Sequence, residues 1–177
     1  MANVNVLITE YEISKRCREL GEEISQNYKG KTIHLICVLT GAIYFACELS
    51  KYISVPVVFD CISASSYGNQ KTSSGVVNVL DILKNDIKGK DVLLVEDIID
   101  SGNTIKKLEE ILSERKPKSI KVCTMLDKPE SRKVDVKADY VAFDLPDKFV
   151  VGYGLDNTDG TCRNLPYIGY IEWNKNF

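Results

Sequence analysis

The sequence lacks the features that mark secreted, membrane-spanning and repeat proteins. No run of eighteen apolar residues occurs in it, and its first ten residues do not place an apolar stretch after a basic segment. A membrane-spanning helix needs about twenty apolar residues and a secretory signal needs both segments, so we expect no membrane partner and no secretion. Repeats, low-complexity tracts and linkers are also absent, which favours a single domain over residues 1–177.

An excess of positive charge is missing too. Basic and acidic side chains number 23 and 25, and the formal net charge is -2. Because dedicated nucleic-acid binders carry a basic surface, we expect no nucleic-acid partner. A polyanionic ligand would have to be held by backbone amides, a few local cations or a metal ion.

The cysteines lack the spacing of a structural site. There are six of them, with no CxxC pair, and four lie in or beside apolar segments. This pattern favours reduced thiols in a cytoplasmic protein over disulfides or a zinc site. The only histidine, His34, lies in an apolar run and is interpreted as structural. The cysteines are Cys17, Cys37, Cys47, Cys61, Cys123 and Cys162.

What is present is typical of a globular α/β protein. Hydrophobic residues make up 44% of the chain and charged residues 27%, enough to bury roughly 70% of the unfolded surface. Apolar periodicity predicts helices over about residues 10–28, 41–53 and 105–112, with a capping box at Thr9–Glu12. Strands are predicted at 33–39, 57–63, 76–80, 91–95, 120–126, 140–143, 149–153 and 167–171. The alternation predicts a mostly parallel sheet that binds ligands beyond the carboxyl ends of its strands.

One segment has almost nothing to bury. Residues 64–75 are rich in Ser, Gly, Lys and Gln, and a strand is predicted on either side. We therefore expect an exposed, mobile arm or lid at the tip of a hairpin.

The most informative stretch is VLLVEDIIDSGNT, residues 92–104. It reads as a buried strand that opens through a turn of small residues into a helix. Backbone amides at a helix start, Gly102 and the hydroxyls of Ser101 and Thr104 suit one phosphate group. The GxxxxGK[ST] spacing of a Walker loop is absent.

Three carboxylates in this stretch would repel a phosphate unless they face something else. Glu96, Asp97 and Asp100 could instead meet sugar hydroxyls, a cation or a proton to be removed. A phosphorylated ribose has both parts, with its phosphate on the amides and its hydroxyls on Glu96 and Asp97. The alternative is an acidic turn in which Asp100 or Ser101 only caps the helix.

VLLVEDIIDSGNT resembles the diphosphoribosyl-binding motif of type I phosphoribosyltransferases, and VEDIIDSG is most similar to their 6-oxopurine salvage branch. Other segments resemble that branch in the same order along nearly the whole chain. They are VLTGA at 38–42 (diphosphate loop), SSY at 65–67 (lid), LDKP at 126–129 (base-contacting lysine), FVVGYGLD at 149–156 and RNLP at 163–166.

The resemblance implies one phosphoribosyltransferase domain with a central, mostly parallel sheet flanked by helices. It also implies a lid at about 64–75 and a small carboxyl-terminal hood at about 138–177. The implied reaction moves the 5-phosphoribosyl group from 5-phosphoribosyl 1-diphosphate to hypoxanthine, and to guanine, giving IMP or GMP and diphosphate. A cytoplasmic purine-salvage enzyme that needs Mg²⁺ and forms a homodimer or homotetramer is implied as well.

The resemblance also implies roles for individual residues. Asp100 is the general base at the purine imidazole, and Lys128 donates to the 6-oxo group. Phe149 stacks on the purine, and the Val150 carbonyl accepts from a 2-amino group. The implied metal ligands are Glu96, Asp97 and Asp156. The remaining implied substrate contacts are Thr40, Gly41, Ser66, Tyr67, Ile98, Ser101, Gly102, Asn103, Thr104 and Arg163.

The chain departs from the family pattern at two places. Many members carry lysine at the position of Thr40, so backbone amides should carry more of the diphosphate binding here. Between Asp156 and Arg163 the chain reads DNTDGTCR, apparently one residue longer than usual and without the usual aromatic residues.

Two other functions remain open at this point. One is a regulator that kept the fold to sense phosphoribosyl diphosphate or a nucleotide and binds RNA or a protein. The other is a phosphoribosyltransferase for another base, such as xanthine, adenine or orotate.

Overall fold

The computed structural model describes residues 4–66, 77–80, 83–146 and 148–171. In that part of the chain, strands and helices alternate through the middle and short strands lie at both ends. The elements are β1 (Val4–Ile8), α1 (Glu10–Asn27), β2 (Ile33–Leu39), α2 (Ile43–Ser50), β3 (Val57–Ser66), β4 (Val77–Leu80), β5 (Asp91–Ile99), α3 (Asn103–Glu114), β6 (Ser119–Asp127), β7 (Tyr140–Asp144), β8 (Val150–Val151) and β9 (Ile168–Ile171).

The larger sheet has the order β4-β3-β2-β5-β6-β7. Strands β3, β2, β5, β6 and β7 are parallel, and β4 is antiparallel to β3. The first six residues of β2 and Val92–Val95 of β5 are all buried, because helices cover both faces of the sheet. The predicted mostly parallel α/β sheet is confirmed.

The helices bury the faces that their periodicity predicts. Helix α1 buries Ile13, Cys17, Leu20 and Ile24 in a cluster with α2 and one face of the sheet, and its predicted capping box is present. The Thr9 N–H donates to Glu12 Oε2 at 2.8 Å, and the Glu12 N–H donates to Thr9 Oγ1 at 3.3 Å. Helix α3 covers the opposite face of the sheet with Ile105, Leu108 and Leu112.

A second sheet of three antiparallel strands, β1-β9-β8, forms a hood. Its first strand comes from the amino terminus and was not predicted, because VNVLI is too short to separate from the following helix by pattern alone. Within the segment expected to form the hood, about 138–177, Tyr140–Asp144 is the edge strand of the larger sheet. The predicted strand 149–153 shortens to Val150–Val151, because Gly152, Tyr153 and Gly154 all have positive φ.

The predicted hairpin is present at its base. Strand β3 runs three residues beyond the predicted end at Ser63, and Ser66 pairs with Val77 of β4. The first three residues of the expected lid are therefore strand. Residues 67–75 of that lid, including Tyr67, lie outside the described residues.

The thiols and the single histidine lie mainly in the interior. All six cysteines are free, and Cys17, Cys37 and Cys123 are buried. His34 in β2 is 8% exposed, and burial lowers its pKa. In the described part of the chain, no helix has the length and apolarity needed to cross a membrane.

Candidate active site

The carboxyl ends of three neighbouring parallel strands supply most of the candidate residues. After β2 the chain turns through Thr40–Ala42 into α2, and after β5 it turns through Asp100–Gly102 into α3. Lys128 follows β6 directly. Because β2, β5 and β6 are adjacent and parallel, these three turns meet at one edge of the sheet.

At the turn after β5, which leads into α3, the Ser101 hydroxyl accepts from the Asn103 N–H at 3.4 Å. Gly102 is the N-cap residue, with φ 86° and ψ -5°, and no side chain caps the helix. The alternative in which Asp100 caps this helix is therefore wrong, and the Asp100 side chain is exposed. Ser101, Asn103 and Thr104 are each half-buried around these amides. An amide cluster at a helix start is suited to an anion.

Glu96, which is buried, and Asp97, which is half-buried, form a carboxylate pair just before this turn. The Asp97 N–H donates to Glu96 Oε1 at 3.1 Å, and the Ile98 N–H donates to Asp97 Oδ1 at 2.7 Å. Glu96 Oε2 is buried without a hydrogen-bond partner. Burial raises the pKa of both carboxyls, and the neighbouring Asp97 raises the pKa of Glu96 further. The pair is costly to keep ionised, which indicates a ligand or cation that compensates for it.

We expect Glu96→Gln to stabilise the unliganded protein by about 0.5–2 kcal/mol near pH 8 while lowering its activity. The folded-state pKa of Glu96 lies above its ordinary value of 4.5, so ionisation destabilises the folded protein as pH rises above about 4.5. Below that pH the carboxyl is protonated in both states, and the gain should vanish. Thermal unfolding of both proteins between pH 4.5 and 8 measures this. A gain that does not depend on pH would contradict it.

The diphosphate-loop turn packs directly against this pair and against the hood. A Cβ at Gly41 would overlap the Asp97 carboxylate, and a Cβ at Gly154 would overlap the Gly41 carbonyl oxygen. Arg163 is held nearby: its Nη1 donates to the Gly154 carbonyl at 2.7 Å, and its Nη2 lies 2.7 Å from Asp156 Oδ2. Its charge also moderates the raised pKa of Asp97. The longer segment before Arg163 therefore still brings this arginine to the site.

We expect Gly154→Ala to lower the free energy of unfolding more than Gly160→Ala does. Both glycines have positive φ, 101° and 79°, but a Cβ at Gly160 would meet nothing within 4 Å. Gly160→Ala should cost about 1–2 kcal/mol of backbone strain, and the overlap with Gly41 should add about 1–3 kcal/mol. Urea unfolding of the two variants checks this. Equal losses would show that Gly154 does not support the Gly41 turn.

Lys128 connects the end of β5 to the segment that precedes β8 through two hydrogen bonds. Its N–H donates to the Ile99 carbonyl at 3.0 Å, which places it beside Asp100. Its Nζ donates to the Lys148 carbonyl at 2.6 Å, and the residue is only 5% exposed. Phe149, which follows Lys148, is 48% exposed although it is aromatic, whereas Val150 in β8 is 6% exposed. A buried ammonium beside an exposed ring is suited to a flat, polar heterocycle.

The acidic residues do not form a metal site by themselves. Across residues 4–66, 77–80, 83–146 and 148–171, no three His, Cys, Asp or Glu side chains are grouped to hold an ion. Asp156 is paired with Arg163. An ion that takes one or two carboxylates and completes its shell with substrate oxygens and water fits this arrangement.

For the remaining predicted substrate contacts, the structure gives only exposure or backbone pairing. Thr40 is exposed at the diphosphate turn, and Ile98 is half-buried at the end of β5. For Ser66 the structure describes the backbone pairing only.

Sequence reasoning missed Arg132. Its guanidinium donates to the carbonyls of Ile99 and Asp100 and is ion-paired with Asp127. The only signal in the sequence is a basic residue four positions after Lys128, which is not specific.

A sequence model of the family described as the phosphoribosyl transferase domain matches residues 8–158. The chain belongs to this family. It is 48% identical over 170 residues to hypoxanthine phosphoribosyltransferase of Salmonella typhimurium, with 95% of each chain covered. It is also 48% identical over 167 residues to hypoxanthine-guanine phosphoribosyltransferase of Bacillus subtilis, covering 94% of this chain and 92% of that protein.

Solved structures agree in fold. A crystal structure of a hypoxanthine-guanine phosphoribosyltransferase from Bacillus anthracis has a TM-score of 0.90 and 44% sequence identity, and the match covers 97% of this chain and 100% of that one. The expected phosphoribosyltransferase fold is confirmed.

Proposed function

We propose that this chain transfers the 5-phosphoribosyl group of 5-phosphoribosyl 1-diphosphate to hypoxanthine, giving IMP and diphosphate in purine salvage. One juxtaposition carries the proposal. The Glu96–Asp97 pair, the amides at the start of α3 and the Lys128 ammonium bonded to the Lys148 carbonyl all lie at the carboxyl ends of the parallel strands. They match, in order, the hydroxyls, the 5′-phosphate and the base of a purine ribonucleotide.

In the proposed mechanism each part of the site has one task. The amides of the turn 101–104 bind the 5′-phosphate, and the turn 40–42 with Arg163 binds the diphosphate. Glu96 and Asp97 face the ribose hydroxyls. Phe149 and Lys128 orient the purine, and the Val150 carbonyl accepts from the 2-amino group when guanine is the base. The bond between C1′ and the diphosphate oxygen breaks, a bond from C1′ to the purine nitrogen forms, and the Asp100 carboxylate takes the proton of that nitrogen.

We propose Mg²⁺ as the metal ion, with Asp156, Glu96 and Asp97 as its candidate ligands, of which it would take one or two together with substrate oxygens. When bound, it neutralises charge on the diphosphate so that this group can leave.

Removal of the metal should abolish turnover. In excess EDTA we expect kcat to fall by at least about 100-fold, because several kcal/mol of charge stabilisation are lost and few cations lie near the diphosphate. Added MgCl₂ should restore the rate. Undiminished activity in chelator would contradict the assignment.

The proposed reaction is tested by following IMP formation spectrophotometrically with hypoxanthine, phosphoribosyl diphosphate and MgCl₂. Well-folded protein without turnover would favour the regulator that only senses these ligands. The same assay with guanine, xanthine and adenine defines the base range. Faster use of xanthine than of hypoxanthine would overturn the proposed substrate.

We also propose a homodimer or homotetramer that acts in the cytoplasm. Ile43 and Tyr44 of α2 remain 37% and 43% exposed beside the diphosphate turn, which supports burial against a second copy. Free thiols throughout the chain support a reducing compartment. Light scattering at micromolar concentration tests the assembly, and a mass of one chain would contradict it.

A further inference from the structure

Three consecutive carbonyl groups at the end of β5 all accept hydrogen bonds from one neighbouring segment, residues 128–133. The Ile99 carbonyl accepts from the Lys128 N–H at 3.0 Å and from Arg132 Nη1 at 2.9 Å. The Asp100 carbonyl accepts from Arg132 Nη1 at 2.6 Å. The Ser101 carbonyl accepts from the Lys133 N–H at 2.9 Å. The segment 128–133 therefore fixes the direction of the three peptide groups that begin at Ile99, Asp100 and Ser101.

Arg132 makes the central contacts and is itself held in place. Its Nη2 is ion-paired with Asp127 Oδ1, and both side chains are 14% exposed. Its stem packs against the turn, because a Cβ at Gly102 would lie 3.0 Å from Arg132 Cδ. Arg132 directly follows the short 3-10 helix Pro129–Ser131 and is its C-cap residue.

The planarity of the peptide bond connects these carbonyls to the phosphate site. In a trans peptide the N–H points away from the C=O of the same unit. When the carbonyls of Ile99 and Asp100 point to Arg132, the N–H groups of Asp100 and Ser101 point to the opposite side. Of these two groups, the Ser101 N–H belongs to the 101–104 amides proposed to bind the 5′-phosphate.

We infer that Arg132 is a positioning residue: it turns the carbonyls of this loop away from the phosphate and so aims the amides at it, and it holds the backbone of Asp100. Asp127 acts through Arg132 by fixing its guanidinium. The inference rests on the proposed phosphate site and adds a residue that touches no substrate.

The test is Arg132→Met, which keeps an apolar stem and removes the guanidinium. We expect the Kd for phosphoribosyl diphosphate, measured by calorimetry without base, to rise roughly 10- to 100-fold, as for other small misplacements of a binding group. The KM for hypoxanthine at saturating phosphoribosyl diphosphate should change less than about threefold, because Lys128 and Phe149 remain. A merely structural role would not separate the two ligands.

The chain offers a matched control in Arg16. This arginine also donates to two carbonyls, of Ala142 and Val141, and pairs with Glu19, but it joins α1 to the edge strand β7. Arg16→Met should lower the melting temperature without changing the Kd for phosphoribosyl diphosphate. If both variants weaken binding equally, general destabilisation is the cause and the inference fails.

A second variant covers the case in which Arg132→Met does not fold. Asp127→Asn keeps the shape and removes the ion pair, and it should weaken phosphoribosyl diphosphate binding in the same direction. Combined with Arg132→Met it should have no further effect, because Asp127 acts through the arginine. Additive effects, or unchanged binding in Asp127→Asn, would overturn the proposal that Asp127 acts through Arg132.

Thr104→Val separates this inference from the proposed phosphate site. The variant removes a hydroxyl from the phosphate site and should raise the Kd for phosphoribosyl diphosphate about 10-fold. If it does so while Arg132→Met does not, only the positioning role is wrong. If neither variant changes the Kd, the phosphate site itself is misassigned and the inference falls with it.

Discussion

Asp100→Asn should lower kcat by about 100- to 10,000-fold while leaving the KM for phosphoribosyl diphosphate nearly unchanged. Asparagine keeps the size of the side chain but cannot accept the proton of the purine nitrogen. The structure removes the competing explanation that Asp100 caps α3, because Gly102 is the N-cap residue and no side chain caps the helix. The exposed Asp100 side chain lies at the strand end beside Lys128.

The control for this prediction is at the other end of the same strand. Asp91 begins β5, about 25 Å away, where it accepts from Ser119 Oγ at 2.7 Å and pairs with Lys118. Asp91→Asn should leave kcat unchanged. Steady-state kcat values of both variants with hypoxanthine test this prediction. A fall of less than about fivefold in Asp100→Asn would remove Asp100 as the general base.

Lys128→Gln should reduce kcat/KM for hypoxanthine and narrow the preference over adenine. We expect the parent protein to favour hypoxanthine by as much as about 10,000-fold, because an ammonium donates to a 6-oxo group but faces another donor in the 6-amino group. The lysine is 5% exposed and bonded to the Lys148 carbonyl, so it is held in the site instead of extending to solvent. A glutamine can present its oxygen to an amino group.

Lys121→Gln is the matched control. This lysine lies on β6, the strand that directly precedes Lys128, but it pairs with Asp139 at 3.2 Å on the protein surface. Its loss should leave kcat/KM for both bases unchanged. If the hypoxanthine-to-adenine ratio is the same in Lys128→Gln as in the parent protein, base selection depends on backbone groups near Val150 instead.

Asp100 and Lys128 directly follow the adjacent strands β5 and β6, and the effects of their substitutions should couple. Because the Lys128 N–H bonds the carbonyl next to Asp100, the base-selecting and proton-accepting groups share one backbone connection. In the proposed mechanism this closeness would let the two residues orient the purine and remove its proton with little side-chain motion.

Local patterns in the sequence determined most of the central architecture. The apolar runs at 33–39 and 91–95 predicted parallel strands buried on both faces, and the spacing of Ile13, Cys17 and Leu20 predicted the buried face of α1. These inferences held because burial on both faces of a sheet, and on one stripe of a helix, leaves a periodic imprint within a few residues. The run VEDIIDSGNT likewise indicated a strand, turn and helix around an anion, because all of its parts are contiguous.

Tertiary structure alone decided what depends on distant segments. The hood is closed by β1, whose partner β9 lies more than a hundred residues away, so no local pattern in either segment specifies the pairing. Gly154 must be glycine because the Gly41 carbonyl lies against it, and the sequence around neither glycine shows this contact. Arg132 holds the carbonyls of Ile99 and Asp100 from 33 and 32 residues away. Such contacts depend on how separate elements pack, and a sequence pattern records only what neighbouring residues require of one another.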